Sequence, residues 1–227
     1  ELEPGPCSEE ILGFLLRALE SEYELRLARK RLNAIRIAGF PTMKRFDEVV
    51  VDLLPDDGRA YLSVLKQLQF IEEHQNILMI GNSGTGKTHL AIATGILACE
   101  QGYRVMFKTT AGLVNELVEA KQERRLTYLL RQLKRVDLLI LDELGYITFD
   151  LAGAELLFQL LASRYETGST MITSNLVFSE WVKIFHDKAL TAALLDRITH
   201  RALVLNMAGT SFRQRETPKG SSGRRQK

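Results

Sequence analysis

The chain has 227 residues, 45% of them hydrophobic and 26% charged, which is enough for one α/β core with a small extension. No apolar run approaches the roughly 20 residues a membrane helix needs, and a net charge of +2 at pH 7 is too small to argue for nucleic-acid binding by itself. Cys7 and Cys99 lie far apart, and neither they nor the four histidines have metal-ligand spacing, which suits a reducing, cytoplasmic setting.

Residues 8 to about 38 read as helix. Ser8 can cap it, Glu9 and Glu10 sit where the helix dipole favours acids, and Ile11, Leu12, Leu15, Leu16 and Leu19 make an apolar face. That stretch follows acids, is interrupted by Arg17 and lacks a basic start, so it does not read as a signal peptide. Some 30 helical residues run about 45 Å, too long for a core element, so an arm or a hairpin of helices is expected. Its second half carries Arg26, Arg29, Lys30, Arg31 and Arg36 with no acid among them. Gly39, Phe40 and Pro41 end it, Phe46 and Asp47 open a connector, and Asp56-Asp57 can cap a helix holding Tyr61, Leu62, Leu65, Leu68 and Phe70.

Residues 76–80 read as the first strand, followed by Gly81, Asn82, Ser83, Gly84, Thr85, Gly86, Lys87 and Thr88, which fit G-x-x-x-x-G-K-[ST] without substitution. Glycines at 81, 84 and 86 let the backbone take positive φ and turn N–H groups toward a phosphate, Lys87 adds charge, and Thr88 places a hydroxyl for Mg²⁺. A helix over 89–100 completes the strand, loop and helix order that the motif requires. His89 is a packing or outer group beside it.

A second strand follows at 104–107, then a helix capped by Thr109 or Thr110. A further helical piece over 124–135 carries Leu126, Leu129, Leu130 and Leu133 on one face and Arg124, Arg125, Arg131, Lys134 and Arg135 on others. Residues 137–141 form a strand apolar on both faces that delivers Asp142 and Glu143 to the sheet edge. Asp142 is placed to hold Mg²⁺ through water and Glu143 to deprotonate an attacking water. Helix over 151–165, strand over 170–173, a short Ser179-capped helix with a core Trp181, helix over 189–200 and strand over 202–205 complete the chain. Five strands separated by helices mean an open, mostly parallel sheet with the ligand at the strands' carboxyl ends. Asn175 can hydrogen-bond the γ-phosphate or the water, and Arg197 can reach a neighbouring subunit's γ-phosphate, with Arg201 the substitute.

These stations resemble the AAA+ ATPases of the initiator and helicase-loader clade. The stretches at 86–91, 141–146, 157–166, 173–181, 194–198 and 209–213 are more narrowly similar to the IstB family of ATP-binding transposition helpers. The resemblance implies a P-loop NTPase of AAA+ type with a small N-terminal helical extension; the chain departs from many AAA+ proteins in that only about 20 residues follow the fifth strand, so no full C-terminal lid is expected. It also implies ATP and Mg²⁺ as cofactors, a homo-oligomer with ATP between subunits, double-stranded DNA and a transposase of the same element as partners, and the bacterial cytosol as location. Arg213 is the nearest match to a second sensor arginine. The expected division is a helical arm over 1–50, an ATPase domain over 51–216 and a disordered basic tail over 217–227. The rival readings are a DnaC-type helicase loader, which shares every ATPase station, a small-molecule kinase and a non-catalytic nucleotide switch.

Overall fold

The computed structural model describes residues 6–209 and 211, with side chains from Glu10 onward; Arg213, the side chain of Ser8 and the tail 217–227 lie outside the described residues. Five parallel strands form one sheet in the order β2-β3-β4-β1-β5: β1 (Asn76–Ile80), β2 (Val105–Thr109), β3 (Leu138–Leu144), β4 (Ser169–Ser174) and β5 (Ala202–Asn206). Parallel strands need helices on both faces, and alternation along the strands assigns each side chain to a face. Ile77, Met79, Leu138, Ile140 and Met171 enter one core. Leu78, Ile80, Leu139, Leu141 and Ile172 enter the other.

The first core is covered by α1 (Pro6–Ala38), three short helices α2 (Asp56–Ala60), α3 (Leu62–Gln67) and α4 (Gln69–Glu72), and α5 (Lys87–Glu100). The single helix expected after Asp56 is broken. Pro55 occupies the position before α2, Leu68 takes a left-handed φ of 60° between α3 and α4, and Asp57 accepts the Asn206 N–H at 2.7 Å. The arm is one unbroken helix of 33 residues, about 50 Å long. Among its described side chains only Ile35 and Ala38 near its end are buried, while Ile11, Leu12, Phe14, Leu15, Leu16 and Leu19 are exposed. Its foot rests on α5, where Gly95 lets both Ile140 and Phe40 approach to where a Cβ would stand, 2.7 Å from each.

The second core is covered by α6 (Thr110–Gln122), α7 (Leu126–Lys134), α8 (Leu151–Arg164), α9 (Val182–Phe185) and α10 (Lys188–Thr199). Side-chain caps start three of them: Thr109 accepts from Gly112 N at 3.2 Å, Asp150 from Gly153 N at 2.8 Å and Asp187 from Leu190 N at 2.6 Å. Ser179 does not cap; it lies inside a 3-10 turn over Phe178–Glu180 that delivers the fully buried Trp181 to α9. Trp181 donates its indole N–H to Leu176 O at 3.2 Å, a core role. Among the described residues no helix is long and apolar enough to cross a membrane.

Candidate nucleotide site

The loop joining β1 to α5 wraps the sheet's carboxyl edge. Gly84 and Gly86 have φ of 78° and 92°, the left-handed region that glycine enters without cost. Gly81, at 158°, is close to extended, and a Cβ there would overlap the Met207 backbone, so close approach and not handedness asks for glycine at that position. Thr85 closes the loop by donating to Asn82 O at 2.9 Å. Lys87 opens α5, so its ammonium and the helix N-terminus present positive charge to the same point. That ammonium is buried and held by two carbonyls, Gly81 O and Asn82 O, each at 2.6 Å. Desolvation lowers its pKa, opposed by the nearby Asp142 charge. A buried cation that has only carbonyl partners in the loop is a fitting receptor for phosphate oxygens.

At the next residue, Thr88 Oγ1 lies 2.9 and 3.1 Å from the two carboxylate oxygens of Asp142 near the end of β3. A hydroxyl and a carboxylate side by side make a hard oxygen pair of the kind Mg²⁺ prefers, and that ion usually takes its other ligands from phosphate and water. No group of three or more His, Cys, Asp or Glu side chains that could hold a metal exists among the described residues. Glu143, the next residue, is exposed and takes φ of 61°. Left-handed backbone at a non-glycine residue is strained and concentrates at functional sites.

The surrounding cleft, about 400 Å³, is lined by Ser83, Gly84, Gly86, Lys87, Thr88, His89, Glu143 and Asn175, which brings the expected loop, acid and amide stations together. Its other wall was not anticipated. Glu48, Val49, Val50 and Leu54, from the connector after the arm, line it together with Leu90 and Tyr146. An apolar wall beside a phosphate loop suits a planar base. The only sequence signal was the Val-Val-Val run over 49–51, followed closely by Leu53 and Leu54. His89 is a tie as well as a lining residue, with Nε2 at 3.2 Å from Arg45 O, and Arg45 pairs with Glu100 at 2.8 Å. Arg197 is not brought to this cleft; it is exposed on α10 and lies over the Phe158 ring, 5.5 Å from its centroid.

A parallel sheet in this order, a phosphate loop after β1 and two acids on β3, with β4 between those two strands, define a P-loop protein of AAA+ type. Two solved structures share the fold: DnaI, with a TM-score of 0.61 and 20% identity over 77% of this chain and 93% of that one, and the DnaC helicase loader, with 0.56 and 24% over 75% and 96%. The profile of the family described as IstB-like ATP binding protein matches residues 7–220, and the chain belongs to that family. A protein of insertion sequence IS21 from Pseudomonas aeruginosa, named for ATP binding, is 39% identical over 206 residues, which cover 91% of this chain and 78% of the relative.

Proposed function

We propose that the protein binds ATP with Mg²⁺ in this cleft and hydrolyses it to ADP and phosphate as a homo-oligomer on double-stranded DNA, assisting the transposase of its insertion sequence. The observation that carries the reading is the Thr88–Asp142 oxygen pair set directly beside the buried Lys87 in the first turn of α5. Bound Mg²⁺·ATP supplies the scissile phosphate and the charge that stabilises its leaving group. Lys87 grips the β- and γ-phosphates, Thr88 and Asp142 hold the cation, and the connector wall around Val49 and Val50 packs against the base. Glu143 orients a water and accepts its proton, and Asn175, at the end of β4, holds the γ-phosphate or that water. Arg197, which faces away from its own cleft, serves a neighbouring subunit's site, so assembly completes the chemistry. The DNA and transposase parts of the reading are supported by family membership and by the relative's insertion-sequence origin.

Lys87→Ala is expected to lose ATP binding, whereas Glu143→Gln keeps it and drops turnover by about 10²-fold or more. Nucleotide binding by fluorescence and phosphate release with and without duplex DNA measure both. Loss of binding in Glu143→Gln to the same degree as in Lys87→Ala would refute the division of roles. The likeness to the DnaC loader favours one rival, helicase loading. Co-purification with a hexameric helicase, and none with a transposase, would select it.

A further inference from the structure

Strand β4 does more at the cleft than carry Asn175 to it. The β3–β4 register runs Leu141↔Ile172 and resumes at Leu144↔Ser174, so two residues of β3, Asp142 and Glu143, face the single residue Thr173. This is a β-bulge, a device that re-aims side chains beside active sites. Its hydrogen bonds are fully specified. Thr173 Oγ1 lies 2.5 Å from Asp142 Oδ1 and 3.0 Å from the Glu143 backbone nitrogen. A hydroxyl has one hydrogen, an ionised carboxylate only accepts and an amide N–H only donates. The hydroxyl therefore donates to Asp142 and accepts from Glu143, with no alternative arrangement. Thr110 holds the same unit from β2's side by donating to Asp142 O at 2.9 Å, and Ser174 Oγ donates to Leu144 O at 2.7 Å just beyond the bulge. Thr173, Thr110 and Ser174 are all buried.

Two costs are held in place here. Glu143 stands in left-handed backbone opposite Thr173 at the bulge, and its N–H donates to the Thr173 hydroxyl, a side-chain contact that holds this conformation. The same oxygen orients the carboxylate that sits against Thr88. We propose that Thr173 is a positioning residue that locks the Mg²⁺-side carboxylate of Asp142 and the backbone of Glu143 into one unit with the strand bearing Asn175. Contact with the γ-phosphate at Asn175 is thereby transmitted to the orientation of both acids. The proposal rests on the ATPase reading above for the identity of the ligand. Its geometric basis, one hydroxyl bridging two successive residues of the neighbouring strand, is independent of that reading.

Thr173→Val keeps the shape and removes both hydrogen bonds; Thr173→Ala removes them with less bulk, and Thr173→Ser restores them. Binding of a fluorescent ATP analogue is measured without Mg²⁺ and across a Mg²⁺ titration, together with kcat and KM for ATP. In the valine and alanine variants the Mg²⁺ concentration at half-effect is expected to rise and kcat to fall, each by about 10- to 100-fold, the usual range for groups that orient metal ligands. Mg²⁺-free affinity and KM should stay within about threefold, and the serine variant should match wild type. Adding Thr173→Val to Glu143→Gln should lower turnover little further while still shifting the Mg²⁺ response. The proposal is overturned if serine is as impaired as valine, if the Mg²⁺ response does not move, or if Mg²⁺-free affinity falls in step with kcat, the mark of a loosened fold. Wild-type protein that binds nucleotide without turning it over would sink the hydrolysis reading alone, since the Mg²⁺ response still decides the role of Thr173. Wild-type protein that binds no nucleotide would overturn both.

Discussion

Arg164 is 2% exposed, yet it touches no carboxylate: its guanidinium donates to Leu133 O, Val136 O and Ser169 O and to the Thr170 hydroxyl. Burial pushes its pKa down to about 10, so at neutral pH it remains a full cation held by carbonyls. It ties the end of α7 to the start of β4. Arg164→Ala leaves several buried acceptors unsatisfied and opens a cavity, and a loss of about 3 kcal/mol or more is expected in denaturant unfolding. A loss under about 1 kcal/mol would mean that water replaces the guanidinium. At this scale legibility followed sequence distance. Lys87 and Thr88 were readable because the loop that places them is local, and Asp142 and Glu143 because a strand leads straight into them. Thr173 and Arg164 were not, because Thr173 meets its partners 30 or 31 residues away and Arg164 reaches carbonyls as far as 31 away.

Among the elements, the strands were the most legible. Short runs of Val, Ile and Leu bounded by polar residues have few alternatives: β1 falls where expected, β4 gains one residue at each end, β5 gains one at its end, and β2 and β3 start one residue later and end two and three residues later. β3 runs past Asp142 to Leu144 because the bulge lets pairing resume beyond the acids. The segment from Asp56 to Glu72 was less legible, since its breaks depend on Leu68 backbone and on Asn206, far along the chain. Helix α7 was read correctly as two-faced. Leu129 and Leu133 are buried, which fixes Tyr128, Arg131 and Lys134 on the outside; Arg124 and Arg135 are exposed just beyond the ends of the helix, which starts at Leu126 and not at Arg124 because Arg124 takes left-handed backbone at φ of 58°. Arg125 pairs with Glu123, whereas Arg124, Arg131, Lys134 and Arg135 make no ion pair with the described residues. If this face meets duplex DNA, alanine at those four positions should flatten the dependence of log affinity on log salt by about 0.9 for each phosphate that is no longer neutralised. An unchanged slope would remove α7 from the DNA interface.

Across the whole molecule, the cleft takes one wall from the connector, one from the loop and one from β3 and β4, but the described chain places no arginine of its own at Glu143 or Asn175. Arg197, exposed on α10, is free to reach the cleft of a neighbouring copy in the proposed assembly. Arg197→Ala and Lys87→Ala, each inactive alone, should regain part of wild-type turnover when mixed, because a mixed interface pairs one intact cleft with one intact arginine. No regain at any ratio would place Arg197 outside the chemistry. The long arm has a mechanical consequence. Its foot is wedged on α5, the same helix whose first turn carries Lys87 and Thr88, so phosphate loop and arm share one rigid mount. With a shaft of about 50 Å, a tilt of about 5° at that mount sweeps the far tip through about 4 Å, a lever that reports at its apolar end a movement too small to see at the loop.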